Sequence, residues 1–562
     1  MGLLLSKFLA ALTAATLMVS ACDQSASIPD APLASAPTDS ATALRADADK
    51  IKAHMAYLAS DERAGREAGT PGYDAAAAFV ASELEKLGVA PAGDNGTYFQ
   101  SVPLKRSYRD AEAVSLTVTN RETGAPLALE ENVDQVVAGS LRAAENTITG
   151  EAVFVGFGVV APDLGRDDYA GLDIDGKIVV MLSGTPKGIQ TEERAYYGSQ
   201  KSAEASKRGA IGVVNLWTPT RERVFAFARL AGEGRMDTAR MSWLGPDGET
   251  FTRAPNLQAS ASLSLEGGRK LLENAGQDFD ALMELAEAEG GAVQGFDLPY
   301  DMTISQGSTL DVVTSDNVIG MIEGSDPELK DEIIVLTAHL DHIGISKSFE
   351  DDKINNGALD NAAGVATLLD VSRMVLAGER PRRSIMLLIV TAEEKGLLGA
   401  QYFAQNPTVD AARLVGNVNL DMPVLTYSFE DVVAFGADRS TIKDAVSQAA
   451  EEMNMVLSPD PFADQGLFTR SDHFRLVEIG VPSVFLATGT ANGGEEAWAE
   501  HFAKNFHRPS DDMDNAIDFD AAAKFAEINA RIALTLANDD VRPLWQAGDF
   551  FARQFNGPQL SE

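Results

Sequence analysis

Cysteine is almost missing from this chain of 562 residues: Cys22 is the single one. No intramolecular disulfide and no thiolate metal site can therefore form. Basic residues are also scarce, 46 Lys and Arg against 83 Asp and Glu, which sets a formal charge of −37. That balance argues against nucleic acid as a partner and against attraction to anionic lipid. The surplus carboxylates are then solvated surface or metal ligands. Internal repeats are lacking, and the apolar run from about Phe8 to Val19 is too short for a membrane span. What remains is an ordinary globular composition, 45% hydrophobic and 23% charged. A chain of this length outgrows one core and divides into several domains.

The first segment, "MGLLLSKFLAALTAATLMVSAC", has Lys7, the apolar stretch and small residues just before Cys22. This is the pattern of a secretory signal over residues 1–21. Val19-Ser20-Ala21-Cys22 resembles a bacterial lipobox, which implies export, lipidation of Cys22 and a membrane held through that lipid. Residues 22–46, rich in Ser, Ala, Pro and Thr, then read as a flexible tether.

From Asp47 to Leu87 apolar residues recur three and four apart, predicting two helices, the second closed by Gly88. Between them "DERAGREAGTPG" is a glycine-rich loop placed to border a site. Residues 135–300 change character: "GEAVFVGFGVV" and "GKIVVML" predict strands, while "GEGRMDTARMSWLGPDGETFTRAP" reads as irregular. We read this region as a separate β-rich module between an N-terminal part, 47–134, and a larger part, 301–545, with a tail at 546–562. After about residue 310, strands alternate with helices, from "EIIVLTAHLDH" through "SIMLLIVTAEE" and "LVGNVNLDM" to "GVPSVFLATG". Continuous apolar strands alternating with helices predict an α/β fold with a doubly wound, mostly parallel sheet covered on both faces. Sites in such sheets lie at the carboxyl ends of the strands.

Those ends carry unusual residues. His339 and Asp341 end one strand, Glu393 and Glu394 a second, Asp421 a third; Asp360 opens a helix in "NNGALDNAAG", and His507 lies in the loop "FHRPSDD". Two adjacent glutamates after a buried strand oppose each other by repulsion and desolvation unless something neutralises one of them. Two histidines with three carboxylates suit a pair of Zn²⁺ ions, because carboxylate oxygen and neutral imidazole both bind zinc and one aspartate can bridge two ions. One glutamate is then taken by metal and the other is left to handle protons.

Six stretches, "HLDH" at 339–342, "NNGALDNAAG" at 355–364, "TAEEKGLLGAQYF" at 391–403, "NLDM" at 419–422, "SDHF" at 471–474 and "FHRPSDD" at 506–512, occur in this order. With "YLASDERAGREAGTPGYDAAAAFVASELEKLG" before them, the chain resembles the di-zinc aminopeptidases of metallopeptidase clan MH, which include bacterial leucyl aminopeptidases and glutamate carboxypeptidases. The resemblance implies that His339, Asp360 and Asp421 hold one zinc and Asp360, Glu394 and His507 the other. It makes Glu393 the general base and Asp341 the carboxylate that orients His339. Ser471, Asp472, His473 and Asp511 would support these groups from behind, and His342 lies inside a matched stretch with a supporting or a packing role. His54 and His501 are given no catalytic role. The middle region resembles the protease-associated domain that many relatives insert. Where some relatives carry a tyrosine that aids the tetrahedral intermediate, this chain has Phe468.

The implied function is a zinc-dependent exopeptidase removing N-terminal residues from peptides. A carboxypeptidase of the glutamate carboxypeptidase type, a glutaminyl-peptide cyclotransferase and a receptor-like relative without catalysis are the alternatives. A complete ligand set argues against the last. No oligomeric state is set by the sequence.

Overall fold

The computed structural model describes residues 44–232 and 238–561. The expected signal, Cys22 and nearly all of the tether lie outside the described residues.

Four strands form the centre: β1 (Ile333–His339), β2 (Ser384–Val390), β3 (Leu414–Leu420) and β4 (Ser483–Thr488). They pair in parallel in the spatial order β2-β1-β3-β4. Every residue of the four is buried, as a sheet covered on both faces requires. The two-residue repeat of a strand divides them between two cores. Ile334, Leu336 and Ala338 of β1, with Ile385, Leu387 and Ile389 of β2, face a cluster that includes Ala48–Leu58, Pro71–Leu87, Ala363–Ala377 and Phe519–Asn538. Ile333, Val335, Met386, Leu388 and Val390 face the opposite cluster with Ala400, Phe403 and Leu476. The opening helices end as their sequence dictates: Thr70 accepts from the Tyr73 amide with Pro71 in the first turn, and Gly88 closes the helix at φ 80°.

Antiparallel strands flank this centre. Asp431–Phe435 lies against β4, and Phe296–Ile322, 27 residues long, lies against β2. The long strand also pairs with Phe99–Arg109 and, through its first half, with Ser115–Asn120 and Glu145–Phe154. It thereby carries the chain from the central sheet into a smaller one, in which Glu145–Phe154, Ile178–Leu182, Gly212–Leu216 and Ala259–Leu263 are parallel neighbours. The division drawn at residue 300 falls inside this strand. The stretch read as irregular contains a further strand, Arg240–Trp243, paired with Phe99–Arg109. Its four residues are too few for the alternation to stand out in sequence.

Candidate metal centre

The chain places its charged residues where parallel strands end. His339 is the last residue of β1; Glu393 and Glu394 follow β2, and Asp421 follows β3 directly. The backbone bends sharply at these points. Ala392, Met422 and His507 have φ of 53°, 42° and 57°, a left-handed conformation that costs non-glycine residues energy and that concentrates at functional sites.

Asp360 stands in the middle. Its Oδ1 lies 3.2 Å from His339 Nε2 and its Oδ2 lies 3.4 Å from His507 Nε2. His339 Nε2 is also 3.0 Å from Asp421 Oδ1, and His507 Nε2 is 3.1 Å from Glu394 Oε2. One aspartate therefore faces two groups of ligand-type atoms. His342 reaches the second group, with Nδ1 2.7 Å from Glu394 Oε1 and 4.0 Å from Asp360 Oδ2.

Asp511 holds the Asp360 loop by accepting the amides of Leu359 and Asp360, each at 3.0 Å. Ser471 donates to Asp421 Oδ2 at 2.5 Å, Asn419 donates to Ser471 at 2.8 Å, and Thr337 donates to Asn419 at 2.6 Å. This buried chain fixes the Asp421 carboxylate from below.

Asp341 is placed differently from the sequence expectation. His339 Nδ1 donates to the main-chain carbonyl of Asp341 at 3.1 Å, while the carboxylate stands 4.0 Å away. The carboxylate instead accepts the amides of Glu393, at 3.0 Å, and Glu394, at 3.3 Å. Asp341 thus sets the His339 tautomer through its carbonyl, leaving Nε2 free as a lone-pair donor, and shapes the Glu-Glu turn through its side chain. His473 also departs from expectation. Its ring lies 5.2 Å from that of Phe468 and 5.8 Å from that of Phe485, and both its nitrogens lack a hydrogen-bond partner. Burial pushes it down to about 3, so it is a neutral packing element. Asp472 is buried near His339 and Asp421, with neither carboxylate oxygen hydrogen-bonded. Phe468 packs in the same aromatic core and offers no hydroxyl.

Arg66 is the residue that sequence reasoning missed. Its guanidinium is fully buried and donates to the carbonyls of Leu340 (2.8 Å), Leu58 (2.6 Å), Asn356 (2.6 Å) and Gly357 (3.0 Å). Burial draws it down to about 10, against the pull of Asp341, Asp511, Asp360 and Glu394, so it stays charged at neutral pH. The signal was its place in the glycine-rich loop: a Cβ on Gly65 would come within 2.6 Å of the Asn355 carbonyl, so the loop must lie against the site. His501, given no role from sequence, is buried within the fields of Asp511 and Asp360.

The electrostatics call for cations. Asp341, Asp360, Glu394 and Asp511 act on the buried Arg66 guanidinium, while Glu393, Asp421 and Asp472 crowd one another near His339. Burial, reinforced by Glu394, Asp421 and Asp472 and opposed by His339, pushes Glu393 well above the carboxylate range. Burial and Asp360 act to raise Glu394, yet His342 and His507 hold it at about 2. Two sets, His339 with Asp360 and Asp421, and His342 with Asp360 and Glu394, each converge as metal-ligand atoms do. Oxygen and imidazole donors of this kind fit zinc. Glu394 Oε1 makes no well-aligned hydrogen bond, and its neighbour is His342 Nδ1 at ion-pair distance, 2.7 Å.

The class so defined is an α/β fold with a buried carboxylate and imidazole centre for two divalent ions. Residues 317–533 match the model of Peptidase family M28. A probable zinc metalloprotease of Leptosphaeria maculans is 33% identical over 106 residues, 19% of this chain and 24% of that protein. A probable glutamate carboxypeptidase of Zea mays is 25% identical over 391 residues, 64% of this chain and 49% of that one. The chain spans only 24% and 22% of the length of the first curated relatives it matches. An aminopeptidase from Aneurinibacillus sp. strain AM-1 shares the fold, with a TM-score of 0.50 at 20% identity over 88% of this chain and 94% of that one.

Proposed function

We propose that this protein is a zinc-dependent exopeptidase that removes N-terminal residues from peptides. The observation that carries the reading is Asp360, whose two oxygens face separate ligand groups while the Glu393 carboxyl stands beside them. His339, Asp360 and Asp421 would hold one zinc, and Asp360, Glu394 and His507 would hold the other. When bound, two such ions polarise a scissile carbonyl and make water acidic enough to be a nucleophile near neutral pH. Glu393 takes the proton of the attacking water and returns it to the leaving amine. Its removal from bulk solvent and its acidic neighbours favour the protonated form once the proton is taken. Asp341 keeps Glu393 and Glu394 at fixed positions by holding both their amides. The acidic pocket gives a peptide's α-ammonium group a favourable field.

The test is a screen of the purified, zinc-loaded protein against free and N-acetylated peptides, read by mass spectrometry. Sequential loss of N-terminal residues from free peptides only is expected. Release of C-terminal residues from acetylated peptides would transfer the assignment to carboxypeptidase, the activity in the name of the maize relative.

Residues 135–300 are, on this reading, an inserted protease-associated module that walls one side of the cleft. Among the described residues no helix is long and apolar enough to cross a membrane. The lipobox resemblance supports export and a lipid anchor at Cys22. Cys22→Ser should release the protein from the membrane fraction and abolish the lipid mass; unchanged partition would remove the anchor from the proposal.

A further inference from the structure

Arg66 reaches both of the segments that bring His339 and Asp360 together. Its Nε donates to the carbonyl of Leu340, between His339 and Asp341 at the end of β1, while Nη1 and Nη2 donate to Asn356 and Gly357, just ahead of Asp360. Nη1 also holds Leu58, the last residue of the first helix. Four of the five N–H groups of a guanidinium thus engage three separate pieces of chain. All four acceptors are main-chain carbonyls. Asp341, Asp511, Asp360 and Glu394 act on the guanidinium through their field instead, which leaves the oxygens of Asp360 and Glu394 turned to the imidazoles.

The backbone repeats this bridge. The Arg66 carbonyl accepts the His342 amide at 3.2 Å, the Gly65 carbonyl accepts the Gly344 amide at 3.1 Å, and the Gly344 carbonyl accepts the Asn355 amide at 3.0 Å. A Cβ on Gly65 would come within 2.7 Å of the Gly344 carbonyl and 2.6 Å of the Asn355 carbonyl, so the loop lies wedged between the two segments. Three successive left-handed residues, Ala64, Gly65 and Arg66, with φ of 48°, 70° and 47°, turn the arginine inward. Two of them carry a side chain, so the turn costs energy that its contacts offset.

The bridge matters most when no ion is bound. Asp341, Asp360, Glu394 and Asp511 then repel one another across the two segments, in a buried setting that screens the repulsion poorly. The guanidinium opposes their separation twice over, by its charge and by a planar fork of donors fixed in direction. We propose that Arg66 is a positioning residue that holds His339 and Asp360 at metal-binding separation before the ions arrive. Affinity for zinc, and not only the stability of the fold, then depends on its fork of donors. The inference rests on the two-zinc reading and deepens it.

The test compares the full-length wild type with Arg66→Lys and Arg66→Met, each first shown to be folded by circular dichroism. Zinc affinity is read by chelator competition, and the visible spectrum of the cobalt(II)-substituted protein reports the geometry of the ligands. Both variants should bind zinc at least ~10-fold more weakly, as loss of a group that orients metal ligands does. Both should also shift the cobalt spectrum, since an ammonium keeps the charge but cannot span carbonyls on three segments. Arg66→Lys carries the comparison where the methionine variant fails to fold. Hydrogen exchange of the metal-free wild type needs no variant: peptides covering 339–344 and 355–361 should be as protected without zinc as with it, and their opening on zinc removal would show that the ions, not Arg66, hold the segments. Wild-type zinc affinity with an unchanged cobalt spectrum in a folded variant, whatever its loss of stability, would make Arg66 a structural residue alone. Full recovery of affinity in Arg66→Lys would assign the effect to charge and overturn the role of the fork. A wild type that takes up no zinc would overturn the two-zinc reading, and this inference with it.

Discussion

Two sheets in this molecule bring parallel strands to a common edge, and they use it in opposite ways. In the central sheet the carboxyl ends of β1, β2 and β3 present His339, the two glutamates and Asp421 to one another. In the smaller sheet the corresponding ends are closed off. Lys201, buried on the helix Thr191–Lys207, donates to the carbonyls of Leu182 at 2.7 Å and Gly184 at 2.8 Å, and Thr218 donates to the Ser183 carbonyl at 3.2 Å. Parallel topology supplies a crevice at both edges. Only where the side chains carry charge that the protein cannot neutralise does the crevice become a site. At the smaller edge the Lys201 ammonium and the Thr218 hydroxyl meet the carbonyls.

Substitutions at the two edges should therefore fail differently. The largest effect is expected from Glu393→Gln, which should keep both metals and lose at least ~10²-fold in turnover; Asp360→Asn should lose metal and turnover together. Zinc analysis beside steady-state kinetics separates them, and near-native turnover in the Gln variant would remove Glu393 as the base. Next comes Arg66→Met. It strands four carbonyls and leaves the surrounding carboxylates without their buried cation, so denaturant unfolding should show a loss of about 3–5 kcal/mol. Ser471→Ala should lower metal affinity by about 10-fold, because Asp421 loses the hydroxyl that orients it. A change in stability without a change in metal affinity would assign Ser471 to packing.

The smaller edge offers a pH test. Burial draws Lys201 down to about 7, opposed by Asp168. The unfolded chain, with a lysine of ordinary pKa near ~10.4, holds more protons than the folded one between those limits. Wild-type stability should accordingly gain a rising contribution from pH 7 to pH 10 that Lys201→Met lacks. The same variant should leave turnover of the zinc-loaded protein within about twofold. A loss as large as that of the Glu393 variant would show that the two edges are coupled, and the contrast between them would fall.

What the sequence determined by itself is the local part. Short, mostly apolar runs alternating with helical patterns read as strands buried on both faces, and a charged residue placed directly after such a run emerges at the sheet's edge. His339, Glu393, Glu394 and Asp421 were legible for that reason, whereas Asp360 at a helix opening and His507 in a loop were legible only through the motifs around them. Tertiary structure alone decided the partnerships. Arg66 meets the carbonyl of Leu340, 274 positions away; the Asp341 side chain turns from His339 to the glutamate amides; His473 enters an aromatic core; and His342 comes against Glu394. The 27-residue strand that joins the two sheets was hidden too, since its pairing partners change along its length. Periodicity records which face of an element is buried, whereas contacts between residues distant in the chain exist only once packing has chosen which elements become neighbours.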